Sequence, residues 1–336
     1  MKKIKLIFLC FPFFGYAQVT SLPDSNFELA LVNLGLDNMV DGFVLNSRID
    51  TLTTLVVADS YIESLVGIAA FQSLTYLDCS SNNIDTLDLT NNYLSFLNCS
   101  DNQLIEIDVS NHLNLQTLKC SYNKFTQFDV SQNTSLLYFE CFKNNLTSLD
   151  ISNNIFLTEL WCNDNVLADL DVAGIDMYVL VCDNNLLTTI DNLSDNISLK
   201  HLSCAGNNIS SLLLSDNTQL NWLSCSNNKL FQLDISSQMG LNYLFTWDNP
   251  NLNCINVNDV SFSNATWSVW NGQSGSIDGH HYFSVNCILS SNFQMNENKQ
   301  LSSIINMKGQ QSLIIKNKPL FYKYNDGSVE QKIILE

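Results

Sequence analysis

The sequence predicts an α/β-type repeat solenoid. A parallel β-sheet runs along its concave face, turns and short strands along its convex face, and a small helical cap closes the N-terminus. Three observations carry this expectation. Eight cysteines, Cys79, Cys99, Cys120, Cys141, Cys162, Cys182, Cys204 and Cys225, follow one another at intervals of 20, 21, 21, 21, 20, 22 and 21 residues, and Thr246 takes the next place in the series. Around each cysteine the frame LxxLxCxxNx(L/I/F) recurs, from Leu74, Leu77, Cys79, Asn82 and Ile84 to Leu220, Leu223, Cys225, Asn228 and Leu230. A second motif follows the first: Leu87-Asp88-Leu89-Thr90, Ile107-Asp108-Val109-Ser110, Leu149-Asp150-Ile151-Ser152 and Leu233-Asp234-Ile235-Ser236.

Each element follows from this register. Alternate residues of a strand face opposite ways, so the second Leu and the Cys of the frame point inward and the residues beside them point out. One turn offers about five apolar anchors worth roughly 1.5–3 kcal/mol each. Ordering its backbone costs on the order of 1–2 kcal/mol per residue. A lone turn therefore does not fold, whereas stacked turns share one core and pair their strands. At about 4.8 Å per strand, about ten turns extend on the order of 45 Å.

The segment LxxLxCxxNxL resembles the leucine-rich repeat family, with Cys in a slot more often filled by Leu. The resemblance covers about residues 52–252 and implies a leucine-rich repeat solenoid. A degenerate opening turn holds Leu52, Leu55, Val57 and Ile62; a degenerate closing turn holds Leu241, Leu244, Thr246 and Asn249 and ends at Pro250. The family consists mostly of protein-recognition scaffolds, so the resemblance implies a protein partner.

Two polar columns accompany the repeat. Asn82, Asn102, Asn123, Asn144, Asn165, Asn185, Asn207 and Asn228 stand where the chain leaves the strand. An amide there both donates to and accepts from backbone groups otherwise buried unpaired. The Asp of the second motif suits Asx-type turns on the opposite face. One Asp per turn is too sparse for the six to eight oxygens of a calcium site.

Eight regularly spaced thiols would invite disulfides in an oxidising compartment. Neighbours on stacked strands stand about 4.8 Å apart, however, and a disulfide wants Cβ atoms about 3.8 Å apart. Thiolates in an apolar column would also lack charge compensation for a metal. The ladder cysteines are expected as free, buried, small hydrophobes. Cys254 and Cys287 flank a Trp-, Ser- and Asn-rich stretch beyond the ladder and are a possible disulfide.

The ends differ from the middle. Lys2, Lys3 and Lys5, the apolar run from Leu6 to Phe14, and Gly15 and Ala17 before Gln18 form the layout of a secretory signal peptide. Cys10 follows Phe8 and Leu9 rather than the small residues of a lipoprotein signal. Cleavage after Ala17 would remove three lysines and take the net charge from −18 to −21. No later run reaches the length of a membrane span. Pro23-Asp24-Ser25, then Phe27, Leu29, Ala30, Leu31, Leu34 and Gly35, predict a short amphipathic helix over the first turn; PDSNFELALVNLGLD is similar to the N-terminal cap of secreted bacterial leucine-rich repeat proteins. In the tail, Leu301 to Met307, Leu313 to Ile315, Phe321 to Tyr324 and Ile333 to Leu335 read as strands, with Asn325-Asp326-Gly327 as a turn. INMKGQ followed by KPLFYKYNDGSVEQKIILE resembles the C-terminal sorting domain read by the type IX secretion system of Bacteroidetes. The tail departs from that pattern by its shortness, by Leu320 in place of a Gly and by the final Glu336, so a small β-rich end domain without an address stays open. The expected division is signal peptide 1–17, N-terminal cap 18–51, solenoid 52–252, C-terminal cap 253–290 and C-terminal domain 291–336.

Charge and motifs exclude several functions. With 33 acidic against 15 basic residues and a single arginine, Arg48, the chain lacks the clustered cations that nucleic acid or an anionic membrane requires. It has no GxGxxG, P-loop, HExxH or GxSxG. His280 and His281 are adjacent in a Gly-rich loop, where such a pair commonly carries no ligand. No catalysis, cofactor or metal is expected, and the chain is expected to be a monomer. What remains is a surface. Exposed aromatics recur on the concave sheet in two groups, Tyr138, Phe142 and Trp161 at mid-solenoid and Trp222, Tyr243, Phe245 and Trp247 near its end. Two readings stay open: binding anchors for a protein or a glycan, or rings that only pack neighbouring strands. A passive surface role is the third alternative.

Overall fold

The structure is a computed structural model that describes residues 18–90, 92–269 and 276–287, and the backbone alone of residues 301–305, 319–324 and 329–333. The expected signal peptide, the strand at Leu313 to Ile315 and the Asn325-Asp326-Gly327 turn lie outside the described residues. The chain forms two compact units, Met1–Cys287 and Ile288–Glu336.

The first unit opens with β1 (Val19–Ser21), α1 (Ser25–Asn33), β2 (Phe43–Leu45) and α2 (Asn46–Ile49), with β1 and β2 antiparallel. Asp24 caps α1: one carboxylate oxygen accepts from the Asn26 and Phe27 N–H groups at 2.8 and 3.1 Å, the other from Glu63 and Ser64 at 2.7 Å each. The same side chain thus starts the helix and ties it to the first turn. Phe27 and Leu31 are buried in one core with Leu55, Ile68 and Phe71. Glu28, also buried, accepts from the Asp41, Gly42 and Phe43 N–H groups at 2.8–3.0 Å. At Gly67 φ is +106°, and a Cβ would stand 2.7 Å from Leu22 Cδ2 and 2.9 Å from the Ser21 carbonyl oxygen, so only glycine lets the cap approach.

The solenoid follows: β3 (Thr54–Val56), β4 (Tyr76–Asp78), β5 (Phe96–Asn98), β6 (Thr117–Lys119), β7 (Tyr138–Glu140), β8 (Glu159–Trp161), β9 (Val179–Val181), β10 (His201–Ser203), β11 (Trp222–Ser224), β12 (Leu233–Asp234) and β13 (Tyr243–Phe245). All but β12 form one ten-stranded parallel sheet in sequence order. Register is kept between neighbours, as in Leu97↔Leu118 and Leu202↔Leu223. The middle residue of each strand of this sheet and the residue after it are buried, and in eight of the ten turns that residue is cysteine, with Val57 and Thr246 at the two ends, so sulfur does fill an interior column. All eight ladder cysteines are free. Burial raises every one of their thiol pKa values, with Cys99, Cys162 and Cys225 pushed up to about 12.

The asparagine column joins the turns. Asn102 donates through Nδ2 to the carbonyls of Cys79, Cys99 and Ser100 at 3.0–3.2 Å, and its Oδ1 accepts from Ile84 N–H at 3.0 Å. Asn144, Asn165 and Asn228 repeat this bridge from their own turn to the one before. The Asp column makes the expected Asx turns: Asp108 and Asp150 Oδ1 accept from Ser110 and Ser152 N–H at 2.9 and 3.0 Å. A second buried polar column stands further round the coil, at Asn92, His112, Asn133, Asn154, Asn196, Asn217 and Gln238. Asn133 Nδ2 donates to the carbonyls of Val109 and His112 at 2.9 and 3.1 Å, and Asn154 Nδ2 to those of Val130 and Asn133 at 3.1 and 2.9 Å. His112 belongs to this column and takes Leu94 N–H on Nδ1 at 3.3 Å.

Beyond β13 the chain leaves the ladder. β14 (Cys254–Asn256) pairs in parallel with β12, then α3 (Val260–Thr266) leads to β15 (Tyr282–Ser284), which completes a sheet of order β12-β14-β15. Cys254 and Cys287 are bonded. Ser276 stands where the last residue of another ladder strand would be: Thr246 N–H donates to its carbonyl at 2.7 Å, as Cys225 N–H donates to that of Phe245, the last residue of β13, at 2.8 Å. The second unit contains an antiparallel sheet of β16 (Leu301–Ile305), β17 (Pro319–Tyr324) and β18 (Val329–Ile333). The last strand begins earlier than the apolar run Ile333 to Leu335, because pairing with β17 sets Val329 opposite Lys323 and Ile333 opposite Pro319.

The buried Asn column and the exposed Asp column are expected to differ sharply in weight. Asn144→Ala leaves several buried carbonyls unpaired and should lower unfolding free energy by on the order of 3 kcal/mol in denaturant titration, whereas Asp150→Ala, at an exposed turn, should cost no more than about 1 kcal/mol. Native protein should resist a thiol reagent for hours, and all eight ladder thiols should react once it unfolds without reductant.

Candidate functional site: the aromatic face of the sheet

The residues flanking each buried strand centre form the outward face of the ten-stranded sheet, and most are half-exposed. In-register pairing places equivalent side chains of successive turns side by side, so a column in sequence becomes a row in space.

Near the end of the sheet this produces a continuous aromatic row. The His201 ring stacks on Trp222 at 5.2 Å and 6°, and Trp222 meets Tyr243 at 4.7 Å and Phe245 at 5.2 Å. Tyr243 is 51% exposed, which leaves the outer edge of the row open to contact. His201 extends the row by a turn; it occupies the same column of the repeat as Trp222, which is the signal that could have included it. Burial pushes its imidazole pKa down, so the ring that stacks on Trp222 is held toward the neutral form. Trp247 lines a recess of about 470 Å³ with Asp248, Pro250, Asp278, Gly279 and His280.

The mid-solenoid group is built differently from its sequence grouping. Phe142 meets Tyr122 edge to face at 5.3 Å. Tyr138 donates through its hydroxyl to Glu140 Oε2 at 2.9 Å, and Lys119 Nζ lies 3.5 Å from that oxygen and 5.0 Å from the Tyr138 ring centre. Trp161 Nε1 points to Glu159 Oε2 at 3.5 Å. Burial and then the Glu140 hydrogen bond raise the Tyr138 hydroxyl well above its ordinary range, so it remains a donor. This stretch therefore mixes rings with carboxylates that already have partners. At the other end Tyr76 and Phe96 stack flat at 4.0 Å and 3°. These two close the sheet's first turns and lie outside both groups.

No protein-family model matches the chain, and no curated protein matches it. Solved structures do. The chain is similar to the functional domain of InlJ from Listeria monocytogenes, which includes a cysteine ladder, with a TM-score of 0.53 and 22% identity over 95% of this chain and 99% of that one. It is similar to the leucine-rich repeat domain of APL1B at a TM-score of 0.53 and 18% identity, over 63% of this chain and 70% of that one. In the LRIM1/APL1C complex the match has a TM-score of 0.56 and 21% identity, over 64% of this chain and 45% of that one. The likeness is one of fold: the chain is a leucine-rich repeat solenoid. Among the described residues no helix is long and apolar enough to cross a membrane.

Proposed function

We propose that this chain is a non-catalytic binding protein, exported and either released or held at the cell surface, which takes a protein partner on the concave sheet. The observation that carries the reading is the row His201, Trp222, Tyr243 and Phe245, a set of rings in mutual contact with an open edge at Tyr243. Rings of this kind offer large, stiff contact area at little entropic cost and are the usual anchors of protein interfaces. Trp247 and the mid-solenoid Tyr138, Phe142 and Trp161 supply flanking contacts. The acidity of the chain favours a partner of opposite charge around those anchors. A chain of similar fold is found in the solved complex of LRIM1 with APL1C. Export is supported by the basic head and apolar run of residues 1–17, and surface retention by the sorting-like ending of residues 291–336.

The test is capture of extracellular material from the source organism on immobilised full-length protein. Trp222→Ala combined with Tyr243→Ala should lower recovery of a specific protein at least tenfold while circular dichroism stays native. Trp161→Ala should have the smaller effect. Glycan-array binding lost in the same double variant would replace the protein reading by a glycan one, and retention unchanged by all three substitutions would favour a passive surface role.

A further inference from the structure

Sequence reading sets His280 and His281 aside as an adjacent pair in a loop. The fold places two further oxygen donors against them. Asp278 Oδ2 lies 3.5 Å from His281 Nε2, and the Asn249 carbonyl oxygen lies 3.4 Å from the Nε2 atoms of both His280 and His281. One ligand atom from each of Asp278, His280 and His281 falls within 4.8 Å of the others. The two rings stand at 72° to each other with centroids 4.6 Å apart, so they converge by their edges and not by stacking. The His281 side chain is buried, while His280 is exposed and lines the recess together with Trp247.

We infer that Asp278, His280, His281 and the Asn249 carbonyl form a site for one divalent transition-metal ion of the zinc class, which fastens the C-terminal cap to the last ladder turn. Around an ion with bonds of about 2.0–2.1 Å, the donors of a tetrahedron stand about 3.4 Å apart. The Asn249 carbonyl already stands at 3.4 Å from both imidazole Nε2 atoms and Asp278 at 3.5 Å from that of His281, and the three side-chain donors lie within 4.8 Å of one another, a spacing that a side-chain adjustment closes around an ion. Imidazole with carboxylate selects zinc, cobalt, nickel or copper over calcium or magnesium. The shell beyond the ligands is also in place. Thr246, the residue that interrupts the cysteine series, sets its Oγ1 3.2 Å from His281 Nδ1. Without metal, His281 Nδ1 accepts from Asp278 N–H at 3.3 Å and the ring proton sits on Nε2. On binding, the His281 proton moves to Nδ1 and is donated to Thr246 Oγ1, and the exposed His280 likewise exchanges its Nε2 proton through water for one on Nδ1, which frees both Nε2 lone pairs for the ion with no net proton release; the Asp278 N–H contact is the one given up. The ion enters through the recess, whose carboxylates Asp248 and Asp278 favour a cation.

The experiment uses the full chain and zinc ion alone. Equilibrium dialysis and calorimetry should give one zinc per chain with micromolar affinity or tighter, a thermal midpoint that rises with zinc, and no response to calcium. His280→Ala, at an exposed position, should weaken zinc at least tenfold with an unchanged midpoint in chelator. Asp278→Asn should weaken it as well, and because Asp278 also accepts from Asn249 N–H at 3.2 Å, His280→Ala carries the test if that variant misfolds. Cobalt should give tetrahedral ligand-field bands without the intense near-ultraviolet charge transfer of thiolate. Zinc binding that is absent, that survives His280→Ala undiminished, or that shows thiolate bands with cobalt overturns the site.

Discussion

The structure depends on satisfying the backbone at the point where the chain leaves each strand. The carbonyl of every ladder cysteine lies in an interior that water does not reach, and it accepts twice, from the asparagine three residues on in its own turn and from the equivalent asparagine of the turn after. This need overrides local preference. To bring the amide inward, the residue two beyond the cysteine adopts a left-handed backbone, at Ser81, Asp101, Tyr122, Lys143, Asp164, Asn184, Asn227 and Asp248, with φ between +49° and +58°. Tyr122 and Lys143 are poor residues for that conformation, which costs about 1–2 kcal/mol. Gly206 alone occupies the position freely. A conformation held at this cost so regularly shows how much the amide bridge is worth.

Fixing the interior in this way leaves chemistry to the exterior. Strand centres are apolar throughout and the cysteine slots hold no polar residue before Thr246 at the last turn, so the sulfur column is inert packing, shielded from oxidation by burial and by the pairing distance of parallel strands. The outward positions carry no such constraint, and side chains as different as Tyr76, Glu159, Val179 and Trp222 stand there in one row. Contact between neighbouring rings and availability to a partner are compatible on such a row. Stacking of His201, Trp222 and Tyr243 lowers the entropy that a partner must remove on docking.

The fold was legible because the repeat prints its inward residues in fixed register: cysteine, leucine and asparagine columns need no tertiary knowledge to align. What stayed hidden has physical reasons. The second polar column changes residue type, from Asn92 to His112 to Gln238, and at Ile175 becomes apolar, so it shows as no column until the carbonyls it serves are seen. Glu28 reads as one more acid on a helix, yet three amides from a separate loop gather round it. The aromatic columns gave position but not direction, which is why the rings at 138, 142 and 161 turned out to face Glu140, Tyr122 and Glu159. The cap beyond Pro250 repeats nothing, and the approach of Asp278, His280 and His281 to Asn249 is made by a chain reversal that spacing along the sequence does not record.

The unequal turn lengths have their own consequence. From cysteine to the Asp position of the second motif, held by Leu213 in one turn, each ladder turn keeps the same count, and the extra or missing residues fall on the far arc before the next strand, as in the left-handed Asn192 and the short helical turn after it. Hydrogen-bonded bridges reach no further than one turn back. A gene encoding such a chain can therefore gain or lose whole coils by unequal crossing-over, and each such event would slide the aromatic row along the molecule by one strand spacing without breaking the bonds on either side.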